Sequence, residues 1–281
     1  MNEYIGQSRA LAAVQDFCRR LLDADWEAPG GPLRLSGDLE LEDLSGSEFF
    51  VNARMFLAAL AEEDGAPATE RGNLSRAFVR PMFDRMVLPE KEREAVLLDC
   101  KVINESDVWA LHIVRVVCEC GGLVIRRKKR FRLTKAARKL LDDERAGELF
   151  RKLFIAYFRR FDLRYGRYVG DVASIQVAMA VTLWRLDTMA RDWTPVSGLA
   201  PQVLLPVVLR ELRAAMVSPY EKEEWTLSRY VLNPLCRLGL IERQKDGESS
   251  FVDADDSIRI TALWRKFIGF GWTGGRSVRG H

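Results

Sequence analysis

Residues 121–141 read Gly-Gly-Leu-Val-Ile-Arg-Arg-Lys-Lys-Arg-Phe-Arg-Leu-Thr-Lys-Ala-Ala-Arg-Lys-Leu-Leu. Two runs with apolar positions, Leu123–Arg126 and Arg130–Leu133, flank a Lys128-Lys129 tip, which is how two short strands around a hairpin look. Ahead of them Val108–Cys120 is apolar nearly all round, with Asn104, Ser106 and Asp107 as caps. It stops at Gly121-Gly122, where a helix ends. Behind them Thr134 offers a hydroxyl to cap a helix over Lys135–Asp142. The order is helix, basic hairpin, Arg-Leu-Thr, helix.

A second copy lies near the C-terminus. Trp225–Leu238 reads as a helix closed by Gly239, and Leu240–Arg243 begins a strand. The polar stretch Lys245–Asp256 forms a hairpin, Ile258-Arg259-Ile260 returns, and a helix runs through Phe270 with Thr261 in the capping place of Thr134. Pro234 lacks an N–H and is expected to kink its helix.

On these residues the chain resembles the winged-helix superfamily, twice over. The run 121–141 is similar to the third helix, wing and closing helix seen across winged-helix proteins, including many bacterial transcription regulators. Those often carry glycine three residues after the threonine, where Ala137 stands here. A second resemblance spans roughly residues 30–165 and rests on PLRLSGDLEL (32–41), ATERGNLSRAFV (68–79) and the wing. It is to uncharacterised bacterial proteins carried on plasmids and insertion elements, and it implies no active site.

The remaining segments fill in around the two units. Glu3–Ala24 has helical apolar spacing, and Ala28-Pro29-Gly30-Gly31-Pro32 breaks the chain. A short alternating run covers Leu33–Leu41, followed by helices over Phe49–Leu60 and Leu74–Met86. Further helices are expected over Ala146–Tyr168 and Gly170–Met189, with a linker at Asp192–Gly198. The fold expected is mainly α with small β-hairpins, tandem winged-helix units joined by a helical region. Its divisions are an N-terminal helical region (1–68), a first unit (69–145), connecting helices and linker (146–205), a second unit (206–270) and a flexible tail (271–281).

Charge is unevenly spread. From Gly121 to Arg160 there are fourteen Lys/Arg and four Asp/Glu, a local balance of +10 within a chain whose net charge is +3. A basic segment on an otherwise acidic protein is the footprint of a polyanion partner. Arg126, Arg127, Lys128, Lys129, Arg130 and Arg132 are the candidates for phosphate contact, which positions a duplex without reading it. In the second unit Thr226, Arg229, Asn233 and Arg237 recur at i, i+3, i+7 and i+11. Arginine and asparagine are the side chains that read guanine and adenine edges. The first unit's stripe, His112, Arg115 and Glu119, is a poor base-reading surface. The rings Phe150, Phe154, Tyr157, Phe158, Phe161, Tyr165 and Tyr168 alternate with cations, a pattern that packs as core more often than it stacks bases.

Catalysis finds no support. The two histidines are His112 and His281, and no P-loop, G-x-S-x-G, H-E-x-x-H or dinucleotide pattern occurs. Cys118-Glu-Cys120 has no second pair to complete a metal site. The five cysteines are odd in number and scattered, a poor disulfide framework. No apolar run reaches the roughly 20 residues needed to cross a bilayer. The sequence thus predicts a cytoplasmic, non-enzymatic protein with no cofactor, whose partner is double-stranded DNA. The competing expectation is a protein-interaction scaffold that docks an acidic protein partner.

Overall fold

The computed structural model describes residues 2–165, 172–216, 222–245 and 251–272, with side chains from Ala10 onward. It is mainly helical, with three small antiparallel sheets. In chain order the elements begin with α1 (Asn2–Leu22), β1 (Leu33–Leu35), α2 (Glu48–Glu62), β2 (Ala66–Pro67), α3 (Arg76–Arg85) and α4 (Glu90–Asp99). Next come α5 (Trp109–Cys120), β3 (Val124–Arg127), β4 (Arg130–Leu133), α6 (Lys135–Lys139) and α7 (Ala146–Ile155). Then follow α8 (Ser174–Val177), α9 (Met179–Met189), β5 (Thr194–Pro195), α10 (Ala200–Val203), α11 (Pro206–Ala215) and α12 (Glu223–Leu227). The chain closes with α13 (Asn233–Arg237), β6 (Ile241–Gln244), β7 (Ser257–Ile260), α14 (Ala262–Phe267) and β8 (Ile268–Phe270).

One order of elements occurs twice. A short strand (β2 or β5) is followed by helices, a hairpin and a closing helix, and the strand returns to pair with the second hairpin strand. The sheets are therefore β2-β4-β3 and β5-β7-β6. The turns between helix and hairpin match bond for bond. Gly122 and Gly239 sit at φ +66° and +72°, a left-handed conformation open to glycine at little cost. The amides of Leu123 and Leu240 then reach back to the carbonyls of Cys118 and Leu235. Thr134 and Thr261 each donate a hydroxyl to that glycine's carbonyl, at 3.1 and 2.8 Å. Each also accepts from the third residue of its helix, the Ala137 and Trp264 amides, at 3.2 Å.

Several boundaries differ from the sequence expectation, each for a local reason. The expected linker at 192–198 contains β5, whose Thr194 pairs with Ile258 and Pro195 with Ser257. Proline is tolerated there because β5 is an edge strand. Likewise the boundary at 68/69 cuts β2 from the sheet it completes. The helix expected to reach Tyr168 ends with a π-helical turn at Ala156–Arg160, and Phe161 turns extended; Tyr168 lies outside the described residues. The next helix is interrupted at Ala178. The closing helix stops at Phe267, because Ile268–Phe270 leaves it to pair with Leu33–Leu35. Gly271 and Trp272 are fixed as well, by the Gly271 amide on the Pro32 carbonyl and by Trp272 against Phe17 and Trp184. The rest of the expected tail lies outside the described residues. Helix α4 was not expected at all, since it buries no residue completely and so has no apolar stripe to read.

Pro234 does not simply kink its helix. The turn before it, Ser228–Leu232, is π-helical, and the helix runs on without a break through Asn233–Arg237. The wider turn directly ahead of the proline is where its missing N–H and its ring are accommodated.

The buried apolar residues form one core cluster drawn from both repeats. Phe267 of α14 meets Phe150 and Phe154 of α7 edge-on, at ring distances of 4.8 and 5.0 Å. Such pairs contribute about 0.5–1.5 kcal/mol each beyond their burial. Among the described residues no helix is long and apolar enough to cross a membrane.

The threonine caps generate a prediction. Thr134→Ala and Thr261→Ala should each lower unfolding free energy by about 1 kcal/mol. With separate partners, the double variant should lose the sum within about 0.5 kcal/mol. Urea melts of the three variants check it.

Candidate nucleic-acid interface

The β3–β4 hairpin projects four cations. Its register sets Arg127 directly opposite Arg130 and Arg126 opposite Phe131. Lys128 and Lys129 form the tip at φ +50° and +55°. Two consecutive left-handed residues make the turn that matches strand twist, but asparagine and glycine are its usual occupants. Two lysines there, and two arginines facing each other across the ladder, are locally unfavourable choices.

The six cations expected to act together divide into two groups. Arg132 pairs with Asp64 at 2.9 Å, and Arg130 donates to the Gly65 carbonyl at 2.5 Å. Both are therefore tied to the turn after α2. Arg126, Arg127, Lys128 and Lys129 are exposed, with no carboxylate in ion-pair range among the described residues. The Arg126 guanidinium lies over Gly72, whose φ is +84°, and a methyl group at that position would collide with it. The wing thus rests on the Thr69–Asn73 turn, where the Ala68 amide also reaches the Lys129 carbonyl at 2.8 Å.

The base of the hairpin is held by a buried carboxylate that the sequence reading did not single out. Glu105 is 1% exposed. One of its oxygens accepts from Arg115 Nε at 2.6 Å and lies 2.7 Å from His112 Nδ1, and the other accepts from the Leu74 amide. Arg115 continues to Glu119 and lies over the Phe131 ring, 5.0 Å from its centroid. His112 Nε2 meets the Tyr165 hydroxyl at 2.9 Å. His112 and Arg115 are thus core residues joining α5 to β4. Burial alone would raise the Glu105 pKa, but hydrogen bonds from His112, the Arg115 charge and the Leu74 amide outweigh it and hold it below the usual carboxylate range. A glutamate among capping residues, seven before a histidine and ten before an arginine on an apolar helix, was the available signal.

The second group of candidates, Arg229, Asn233 and Arg237, does not form a base-reading face. Arg237 is held between Glu48 and Glu92, which engage both of its terminal nitrogens. The Asn233 side-chain oxygen accepts from the Val252 amide at 2.8 Å. Thr226 is 5% exposed, so Arg229 alone stands out to solvent. A π-helical turn between Ser228 and Leu232 inserts extra residues into one turn, which breaks the common face that the i, i+3, i+7, i+11 spacing implied. The helices α5 and α12–α13 line a single cleft, Val108, Ile113 and Val114 from one side and Trp225, Asn233 and Arg237 from the other. They do not present parallel faces to a duplex.

The aromatic stripe is core. Phe150, Phe154, Tyr157, Phe158 and Phe161 are all buried, and Tyr165 caps the series beside His112. Cys118 is fully enclosed, and burial pushes its thiol well above the usual range; Cys236 is pushed up to about 12 by the same cause. Neither offers a thiolate at neutral pH. No cluster of three potential metal ligands occurs among the described residues.

Glu105 makes stability depend on pH in a defined direction. Its folded pKa lies below the unfolded value of about 4.3, so its contribution is complete above that pH and is lost as pH falls through it toward the folded pKa. Glu105→Gln leaves Arg115 buried with one carboxylate fewer and should cost about 3 kcal/mol at pH 7. Denaturant melts at pH 7 and pH 3.5 should show the gap between variant and wild type narrowing at the lower pH. An equal gap at both would sink the assignment.

Residues 45–147 match the Y4jL N-terminal domain family, a span that holds α2, the Glu105 cluster and the whole wing. No curated protein matches the chain, and no solved structure does.

Proposed function

We propose that the chain is a non-enzymatic DNA-associated protein built from two winged-helix-type units, the first of which grips the phosphate backbone of a duplex through its β3–β4 wing. One observation carries this reading. Four exposed cations crowd a hairpin whose own backbone and register disfavour them, and none has a carboxylate in ion-pair range among the described residues. Local strain of that kind persists where something outside the hairpin repays it, and a row of phosphates does so by neutralising the charges and releasing counterions. The doubled order of strand, helices, hairpin and helix supports the winged-helix reading of both units.

Base reading is not part of the proposal. Arg237 and Asn233 are committed to internal partners, and the helices that would enter a major groove wall a common cleft instead. The grip is therefore indifferent to sequence.

A second reading, the interaction scaffold, draws on α4 and its flanks. That helix has no fully buried residue, and it leaves Leu98 87% and Leu97 50% exposed, with Val87 and Val102 exposed beside them. A patch of this kind marks a protein contact more often than bare surface.

Binding to a labelled duplex across a salt series separates the two. Wild type should bind with a steep salt slope, with similar affinity for duplexes of unrelated sequence. Changing Arg126, Arg127, Lys128 and Lys129 to alanine should reduce that slope by about 3–4 units, since each phosphate contact contributes about 0.9. No binding at low salt would remove the DNA reading and leave the scaffold.

A further inference from the structure

The cleft between the two repeats has the build of a ligand site. It encloses about 850 Å³, within the range of pockets that hold small organic molecules. Trp109 (45% exposed) and Ala110 of α5, with Leu88, Val96 and Trp225 (49% exposed), give its lining partly accessible apolar surface, while Val108, Ile113 and Val114 line it as buried residues. Its polar groups are few and specific. Ser228 is 3% exposed and lines the cleft, and its hydroxyl has no hydrogen-bond partner among the described residues. A buried hydroxyl left that way is costly unless something supplies the partner.

Three charged side chains meet on its wall. Glu48 and Glu92 share the single guanidinium of Arg237, and each of the three side chains is only 20–25% exposed. Two carboxylates against one cation leave one negative charge uncompensated in a half-buried, apolar surround, where such a charge acts strongly. Burial raises the Glu48 pKa, against the pull of Arg237 and with a smaller push from Glu92. Elsewhere on the lining, Asp107 and Asp253 stand against Lys222 and Arg229, two charges of each sign. An apolar ligand that carries a cation meets the wall and the carboxylate pair together. Its body lies against α5 and its charge completes the pair.

We propose that this cleft binds a compact apolar organic cation, an arylmethylamine protonated at neutral pH, with its charge at the Glu48–Glu92 pair and its body against α5. The site is independent of the wing and of the DNA reading. Because its walls come from both repeats, occupancy holds them together and raises the melting temperature.

Three probes with one apolar body test it: 9-aminomethylanthracene, 9-anthracenemethanol and 9-anthracenecarboxylate, titrated at pH 7 against the full chain. Tryptophan fluorescence and calorimetry provide the readouts. The amine should saturate at one per chain, at least tenfold tighter than the alcohol, with the carboxylate weakest. Glu92→Gln removes the surplus charge while leaving Arg237 paired with Glu48, and should bring the amine to the affinity of the alcohol without changing the alcohol. Glu48→Gln should do the same and serves if the first variant loses its cooperative melt. The proposal is overturned if no probe saturates, if the carboxylate binds as well as the amine, or if both folded variants keep the preference for the amine.

Discussion

The first repeat hangs on one buried carboxylate. Glu105 takes an amide from the start of the α3 segment, a ring nitrogen from His112 and the guanidinium of Arg115, all from inside the core. An unpaired charge there would be prohibitive, so the three donors and the acceptor fix one another's positions. Arg115 then presents its flat face to Phe131, the residue at the centre of β4. Through it, the orientation of α5 becomes the orientation of the hairpin. A wing that carries four cations on a left-handed tip needs such a root, because its own sequence favours neither the turn nor the pairing.

The second repeat is rooted differently. There Arg243 and Asp256, paired at 2.7 Å, tie the strand β6 to the end of its long hairpin connection. What the repeats share is backbone economy at one junction: a left-handed glycine, an amide returning to the helix, and a threonine that bonds in both directions. Those groups satisfy the last carbonyls of one helix and the first amides of the next within four side chains, which is why the same residues recur although the surrounding cores differ. The two copies are then fused by β1 with β8, by Phe267 against α7, and by Arg237 reaching the first repeat.

That junction is also what made the fold legible. Gly-Leu followed by Arg-Leu-Thr or Arg-Ile-Thr encodes turn, strand and cap, between Gly122 and Thr134 and again between Gly239 and Thr261, so helix, hairpin and helix were readable in both copies. Less readable were elements whose existence depends on distant pairing. Thr194-Pro195 has no strand pattern and becomes one only because β7 offers its edge. Ile268–Phe270 continues a helical period and departs from it because Leu33–Leu35 lies alongside. The site divided in the same way. Exposed cations on a hairpin tip are a local property, and the wing stood where its sequence put it. Whether Arg237 faces water or two glutamates from the other repeat is not local. A π-helical turn shifted the phase between the spacing and the face, and no spacing rule records that.

The meeting of the two helices across one cleft changes what each unit is available to do. In a reader of base sequence, the helix before the wing carries its polar residues outward and its apolar residues inward. Here α5 turns His112 and Arg115 into the core and leaves Trp109 and Ala110 lining the cleft, while α12–α13 spends Asn233 and Arg237 on internal partners. Polar chemistry that could discriminate bases has been used to hold the repeats together, and apolar surface that could pack has been left facing a cavity. The β3–β4 hairpin keeps four exposed cations on its outer end. The grip proposed for the wing and the ligand proposed for the cleft thus draw on separate residues, and the Arg237 junction is the one place where a change in the cleft reaches both repeats.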